Sequence, residues 1–333
     1  MSLSRNPHVS LVYFGTNDFS AQVLEALVAI PDFTVVGVVT QPDRPVGRNQ
    51  EIAHPPVKVV AEKLGLSVVQ PESLKNFSPA SLPQADIFVV FAYGLLIPKA
   101  ILHLPSHGTI NIHPSLLPKY RGPTPVQSAI INGETETGVS IMLLDEQMDH
   151  GPILEQIKVA IDPEDTTETL THKLIAQATP LLLTTTSAWI EKKIAPRPQN
   201  HAEATYCKML TREDGKVDWN KSANEIYNLY RGLTPWPGIW TTWEGKRLKL
   251  LKIKKIPPQR DPAHGGTKNQ KNNVTIEQLS NAAGAITAFE NRIFVVASNG
   301  LIEVTELQLE GKKPMDAKTF LTGYHNFAGS KLE

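Results

Sequence analysis

The chain has 333 residues, enough for two domains, and its 41% hydrophobic and 20% charged residues exclude a disordered or collagen-like polymer. Basic and acidic residues balance at 33 each, and the lone cysteine, Cys207, excludes an internal disulfide and any multi-cysteine metal centre. No apolar run approaches the ~20 residues that span a bilayer; the opening M-S-L-S-R-N-P-H lacks the apolar core of a secretion signal, so a reducing cytoplasm is expected.

Val9 to Phe14 reads as a buried strand, closed by Gly15. Asn17 or Asp18 can cap a helix running to Ile30, with Val23, Leu24, Leu27 and Ile30 at helical spacing. Phe33 to Thr40 is a second strand rich in β-branched residues. This β-α-β opening predicts a parallel sheet. G-x-G-x-x-G is absent, so a dinucleotide cofactor is not expected. Gln41 to Pro56 contains four prolines and a glycine and reads as a long loop offering Arg44 and Arg48 to solvent or a partner. Pro56 to Leu64 predicts a short helix and Ser67 to Val69 a third strand. Ala85 to Ala92, unbroken in apolar character, predicts a central strand, with Tyr93 to Pro98 at its C-terminal end, where ligands of open α/β sheets bind.

The next strand carries Asn111 and His113 two residues apart, so their side chains share a face. Pro114 to Pro125 reads as a rigid connector, Val126 to Asn132 as a helix and Thr137 to Leu144 as a strand leading to Asp145 and Asp149. Ile153 to Ile161 predicts another strand, and a long helix reaches about Ile194. Ala195 to Ala204 is polar, proline-containing and aperiodic, as an interdomain linker would be.

Beyond it the signals are mainly β. Ile239 to Trp243 and Arg247 to Ile256 form a hairpin pattern, and Gly284 to Phe289, Arg292 to Ala297 and Leu301 to Leu309 are separated by turn pairs. Pro257 to Asn273 reads as a polar insertion. Residues 1–205 hold 14 Lys and Arg against 20 acids, and residues 206–333 hold 19 against 13. Lys246 to Lys271 alone contains nine cations and one acid, which points to a polyanion as the partner of this half. The competing reading is an exposed strand protected from edge pairing by lysines. The expected fold class is α/β: a Rossmann-like parallel-sheet domain over 1–194, a linker over 195–205, and a smaller C-terminal mainly-β, OB-like barrel over 206–333.

An amide, an imidazole and a carboxylate around a carbonyl suit transfer of an acyl-type group. Amide and imidazolium N–H groups can stabilise an oxyanion, and a carboxylate can hold the imidazole in one tautomer for proton transfer to a leaving amine. Metal binding is the competing use of His and Asp, but His113, His150 and carboxylates make a thin set without H-E-x-x-H. No metal is expected.

The pieces together resemble the methionyl-tRNA formyltransferases, within the 10-formyltetrahydrofolate-dependent formyltransferase group, along nearly the whole chain. They are Phe14-Gly15-Thr16 with Asp18-Phe19, T-Q-P-D-R-P-V-G-R (Thr40 to Arg48), A-Y-G-L-L-I-P (Ala92 to Pro98) and I-N-I-H-P-S-L-L-P-K-Y-R-G-P-T-P (Ile110 to Pro125). T-G-V-S-I-M (Thr137 to Met142), D-E-Q-M-D-H-G (Asp145 to Gly151), V-D-W (Val217 to Trp219) and P-W-P (Pro235 to Pro237) follow. The resemblance implies formyl transfer from 10-formyltetrahydrofolate to the methionine amine of initiator methionyl-tRNA; a monomer is expected. It implies Asn111, His113 and Asp149 as the catalytic trio. It implies folate contacts from Ser115, Leu116, Leu117 and Pro118 and from Phe91, Tyr93, Gly94, Leu95 and Ile97, the last group through backbone atoms. Arg44 and Arg48 fall in the segment that meets the tRNA acceptor end. The basic strand residues Lys246, Arg247, Lys249, Lys252 and Lys254 are the remaining tRNA-contact expectations. The chain departs from the family pattern in two places: Asn49-Gln50-Glu51 where lysines are common, and His150 where threonine is common. A small-amine acceptor and a non-catalytic RNA-binding protein are the alternatives. The basic mainly-β half argues against the first, and the intact trio against the second.

Overall fold

A computed structural model describes residues 8–46, 50–256 and 282–333. Arg48 and the insertion expected at 257–273 lie outside the described residues. Two compact units are present: Met1–Val126, Thr135–Ile161 and Thr169–Met209 form the first, and Gln127–Glu134, Asp162–Glu168 and Leu210–Glu333 the second.

The first unit opens with strand β1 (Val9–Gly15), helix α1 (Asp18–Val28) and strand β2 (Phe33–Val39). Asn17 caps α1, its side chain accepting from the Ser20 amide. A short hairpin of β3 (Arg44–Val46) and β4 (Glu51–Ala53) follows, then α2 (Pro56–Lys63), β5 (Val68–Val69), β6 (Ile87–Phe91), α3 (Lys99–Leu102) and β7 (Thr109–His113). Helix α4 (Pro125–Ile131), strands β8 (Glu136–Leu143) and β9 (Ile153–Ala160) and helix α5 (Thr167–Ile190) complete the N-terminal half. The seven-stranded sheet runs β5-β2-β1-β6-β7-β8-β9. Its strands are parallel from β5 to β7, as the β-α-β pattern predicts. Strands β8 and β9 join antiparallel. The short turn between β8 and β9 requires this, because a parallel return needs a long crossover. The sequence order reverses at β1, with β2 on one side and β6 on the other. The C-terminal ends of β1 and β6 therefore border the crevice where such sheets bind ligands.

Two expectations need correction. The stretch read as an irregular loop from Gln41 to Pro56 contains the β3–β4 pairing, Arg44 opposite Ala53 and Val46 opposite Glu51. Proline at the centre of β3 is tolerated because only one partner strand is present. The segment expected to link the domains instead belongs, through Met209, to the first unit. Arg197 forms a bridge with Ile153, Tyr206 pairs beside Arg121, and Gln199 is buried. Its polar, aperiodic composition follows from long-range hydrogen bonding rather than from a solvated tether.

The second unit contains helix α6 (Ala223–Leu233), strands β10 (Ile239–Trp243), β11 (Lys246–Ile256), β12 (Ile286–Phe289), β13 (Arg292–Val296), β14 (Leu301–Leu309) and β15 (Met315–Asp316), and helix α7 (Ala317–Gly323). Its sheet is antiparallel, in the order β10-β11-β14-β13-β12 with β15 on β14. Residues 330–333 bond to both ends of this path. Glu333 exchanges two backbone bonds with Thr242 in β10, and Ser330 and Leu332 bond Ile286 and Gly284 at β12. The sheet thereby closes around Trp243, Leu248, Leu250, Ile293, Val304 and Phe320. Residues 162–168 join this unit because Arg231 on α6 donates to the carbonyls of Asp162 and Asp165, and Thr167 donates to the Gly232 carbonyl.

Candidate active site

Strand β7 sits between β6 and β8, with Asn111 registered against Val90 and Met142, and His113 against Ser140. Both polar side chains are buried, Asn111 at 9% and His113 at 4% exposure. A buried carboxamide ordinarily has partners. Among the described residues the Asn111 carboxamide has none, so its donor and acceptor remain for a ligand.

His113 is differently placed. Its Nε2 lies 2.9 Å from the Tyr120 carbonyl, which can only accept, so Nε2 carries a proton. Nδ1 then faces Asp149 Oδ1 at 3.6 Å, too long for a direct hydrogen bond. The other carboxylate oxygen of Asp149 is taken by the Gly122 amide at 2.7 Å. Gly122 has φ +115°, and a Cβ there would lie 2.4 Å from the Cys207 carbonyl, so glycine alone allows this approach. Among the described residues the Asn111 amide, His113 Nδ1 and Asp149 Oδ1 are thus without a hydrogen-bond partner. Asp145, the second carboxylate of the turn, is spent locally: it accepts from the Gln147 amide and from His150 Nδ1. His150 stacks on His201 with centroids 4.0 Å apart, and partial desolvation together with His150 and Arg121 holds the His201 imidazole below its usual pKa.

The segment 115–118 is built inward and outward by turns. Ser115 and Leu117 are buried, while Leu116 and Pro118 are half-buried. Ser140 ties the segment down, donating to the Ser115 carbonyl and accepting from the Leu117 amide, and Gln156 donates to the Leu117 carbonyl. At the end of β6, Phe91 and Tyr93 bury their rings. Burial pushes the Tyr93 phenol up to about 12. Its hydroxyl has no hydrogen-bond partner among the described residues, and its carbonyl is committed to Thr16 Oγ1 and Gln41 Nε2. What this segment can still present is the backbone around Gly94, which has φ +84°, with half-buried Leu95 and Ile97 and the 79% exposed Leu96.

Asp43 anchors the base of the 41–56 segment. It accepts from Gln70, Lys58 and His54, and these bonds hold its carboxyl down to about 2 from 3.8. A depressed carboxyl pKa stabilises the fold above its unfolded value, and that contribution is lost as pH falls through the folded value. The anchor is therefore complete above about pH 4 and fails between there and about pH 2. Asp43→Ala is expected to make tryptic cleavage within 41–56 several-fold faster than in the parent at neutral pH. Equal cleavage rates would remove Asp43 from this role. Arg44 is exposed, with Glu72 at 3.3 Å.

In the second unit, β11 buries Leu248, Leu250 and Ile253. Register shifts between Leu250 and Ile253 explain the imperfect alternation of its lysines. Lys246, Lys249, Lys252 and Lys254 are exposed. Lys252 is paired with Glu306 at 2.6 Å, which raises its ammonium pKa, and Arg247 is paired with Glu213 and lies 3.9 Å over Trp240. Among the described residues Lys246, Lys249 and Lys254 have no carboxylate partner. Trp240, Arg247 and Lys249 border a shallow cavity of ≈ 510 Å³. No group of three His, Cys, Asp or Glu among the described residues is arranged to hold a metal ion.

Sequence reasoning missed Gly122, Tyr120, Arg121 and Gln199 as builders of the site. Tyr120, Arg121 and Gly122 fall within the family run Ile110 to Pro125, but only long-range partners show what they and Gln199 hold.

The profile described as formyl transferase matches residues 9–186, and that of the formyl transferase C-terminal domain matches residues 209–325. A methionyl-tRNA formyltransferase of Roseiflexus castenholzii is 40% identical over 97% of this chain and 98% of its own length. One of Halalkalibacterium halodurans is 39% identical, over 97% and 96%. Among solved structures, the sugar 3N-formyl transferase WlaRD aligns with TM-score 0.61 at 17% identity, covering 92% of this chain and 99% of that one. HypX from Aquifex aeolicus aligns with TM-score 0.60 at 14% identity, covering 96% and 48%. These two likenesses are of fold.

Proposed function

Because the chain belongs to the methionyl-tRNA formyltransferases, we propose that Asn111, His113 and Asp149 carry the family's reaction here. That reaction moves the formyl group of 10-formyltetrahydrofolate to the α-amino group of the methionine on initiator methionyl-tRNA. The observation that carries the assignment is that, among the described residues, the Asn111 amide, His113 Nδ1 and Asp149 Oδ1 have no hydrogen-bond partner, with the last two facing each other at 3.6 Å.

Asn111 donates to the formyl oxygen and stabilises the negative charge that develops there as the amine attacks. The bond formed joins the methionine nitrogen to the formyl carbon, and the bond broken joins that carbon to N10. The attacking nitrogen gives up one proton and N10 takes one. His113 Nδ1 and Asp149 Oδ1, facing each other across 3.6 Å, handle that proton. Leu116 and Pro118 on one side, and Leu95, Ile97 and the backbone at Gly94 on the other, are apolar and accessible enough to hold the flat folate ring. Ser115, Leu117, Phe91 and Tyr93 support these surfaces from within.

For tRNA, the free cations Lys246, Lys249 and Lys254 are the strongest phosphate contacts on β11. Lys252 and Arg247 must first leave Glu306 and Glu213. Arg44 and Arg48 are assigned to the acceptor end. Replacing Lys246, Lys249 and Lys254 together by glutamine is expected to flatten the log–log salt dependence of tRNA binding by about two to three. An unchanged slope would assign the three lysines to solubility. Deleting residues 206–333 would be a poorer test, because residues 127–134 and 162–168 belong to the same unit.

The protein is proposed to act in the cytoplasm as a monomer; sedimentation at working concentration checks the oligomeric state. The decisive assay supplies 10-formyltetrahydrofolate and methionyl-tRNA without added metal. Formylated methionyl-tRNA is expected. Activity on small amines but not on the tRNA would overturn the assignment of the acceptor.

A further inference from the structure

Asp149 is a non-glycine residue with φ 48°, a left-handed conformation that a Cβ disfavours. Its carboxylate reaches both the Gly122 amide and the neighbourhood of His113 from that turn. Something must hold the turn. Gln199 Nε2 donates to the Asp149 carbonyl at 2.9 Å and to the Gly151 carbonyl at 2.7 Å. The Gln199 Oε1 in turn accepts from Arg121 Nε at 3.1 Å and Nη2 at 2.6 Å. Arg121 is 1% exposed and Gln199 6%. The guanidinium also reaches His201 Nδ1 at 2.8 Å and the Tyr206 hydroxyl at 3.3 Å.

The choice of side chain at 199 is informative. A buried guanidinium is better neutralised by a carboxylate than by an amide. A carboxylate, however, has no proton for the two carbonyls. Only an amide at 199 accepts from Arg121 and donates twice to the turn. We propose that Gln199, fixed by Arg121, is a positioning residue for Asp149. By gripping the carbonyls of Asp149 and Gly151 it keeps Oδ1 aimed at His113 Nδ1. This inference rests on the reading of Asp149 as a chemical group.

Gln199→Glu keeps the acceptor for Arg121 and removes both donors. It is expected to lower kcat on the order of tenfold to a hundredfold, with KM for methionyl-tRNA and for the formyl donor within about twofold. In an Asp149→Asn background the same change is expected to cost nothing further, because the group it positions is already gone. Gln199→Met, which also lacks the donors, serves if the glutamate variant does not fold. An unaltered kcat, or an equal loss in the Asp149→Asn background, would overturn the role of Gln199 while leaving Asp149 in place. An Asp149→Asn enzyme with undiminished kcat would overturn the assignment of Asp149 and this inference with it.

Discussion

His113→Ala is expected to lower kcat by about 10²–10⁴-fold, the range typical of a lost proton-transfer group. The imidazole meets both the Tyr120 carbonyl and the Asp149 carboxylate. Its removal deletes the nitrogen that faces Asp149 and takes the imidazole donor from the Tyr120 carbonyl, which the Cys207 thiol also approaches at 3.8 Å. A cost in stability accompanies the loss of turnover, about 0.5–1.5 kcal/mol for the lost hydrogen bond. Binding of tRNA at the cationic strand should be nearly unchanged, so filter binding separates affinity from chemistry. Single-turnover formylation gives the answer directly: a rate within about threefold of the parent would remove His113 from the proton path.

Asn111→Ala is expected to lower kcat by about 10²–10³-fold, the usual loss for one oxyanion donor. Its second expectation is the opposite of that for His113. The Asn111 carboxamide has no partner among the described residues, so its truncation breaks no hydrogen bond of the fold. The melting temperature should stay within about 2 °C of the parent. Loss of turnover without loss of stability is the signature of a group reserved for a ligand. A large drop in melting temperature with kcat preserved would return Asn111 to a structural role.

The contrast between these two neighbours shows how far the chain can be read without its fold. Side-chain alternation along a strand is local, with a period of two. It put Asn111 and His113 on one face from the run Thr109–His113 alone. The parallel order of the first strands was legible for a similar reason, since a β-α-β sequence leaves few ways to cover both sheet faces. The basic character of β11 was legible too, but its free lysines were not. Glu306 claims Lys252 and Glu213 claims Arg247, and neither carboxylate is near them in sequence. The segment 195–205 misled because polar, proline-containing residues suit a tether and a hydrogen-bonded return equally well. Its bonds to Arg121 span 78 positions.

The sequence by itself determined the parallel core and the family, and it singled out the candidate groups Asn111, His113 and Asp149. These follow from side-chain chemistry, short-range periodicity and ordered motifs. Tertiary structure alone decided that Asp145 is taken by Gln147 and His150, that the Tyr120 carbonyl takes His113 Nε2 and leaves Nδ1 facing Asp149, and that Gln199 bonds the turn carbonyls behind them. Each of these depends on which hydrogen-bond donor or acceptor is already occupied. Occupancy is settled by partners tens of residues away, through packing that no local pattern encodes.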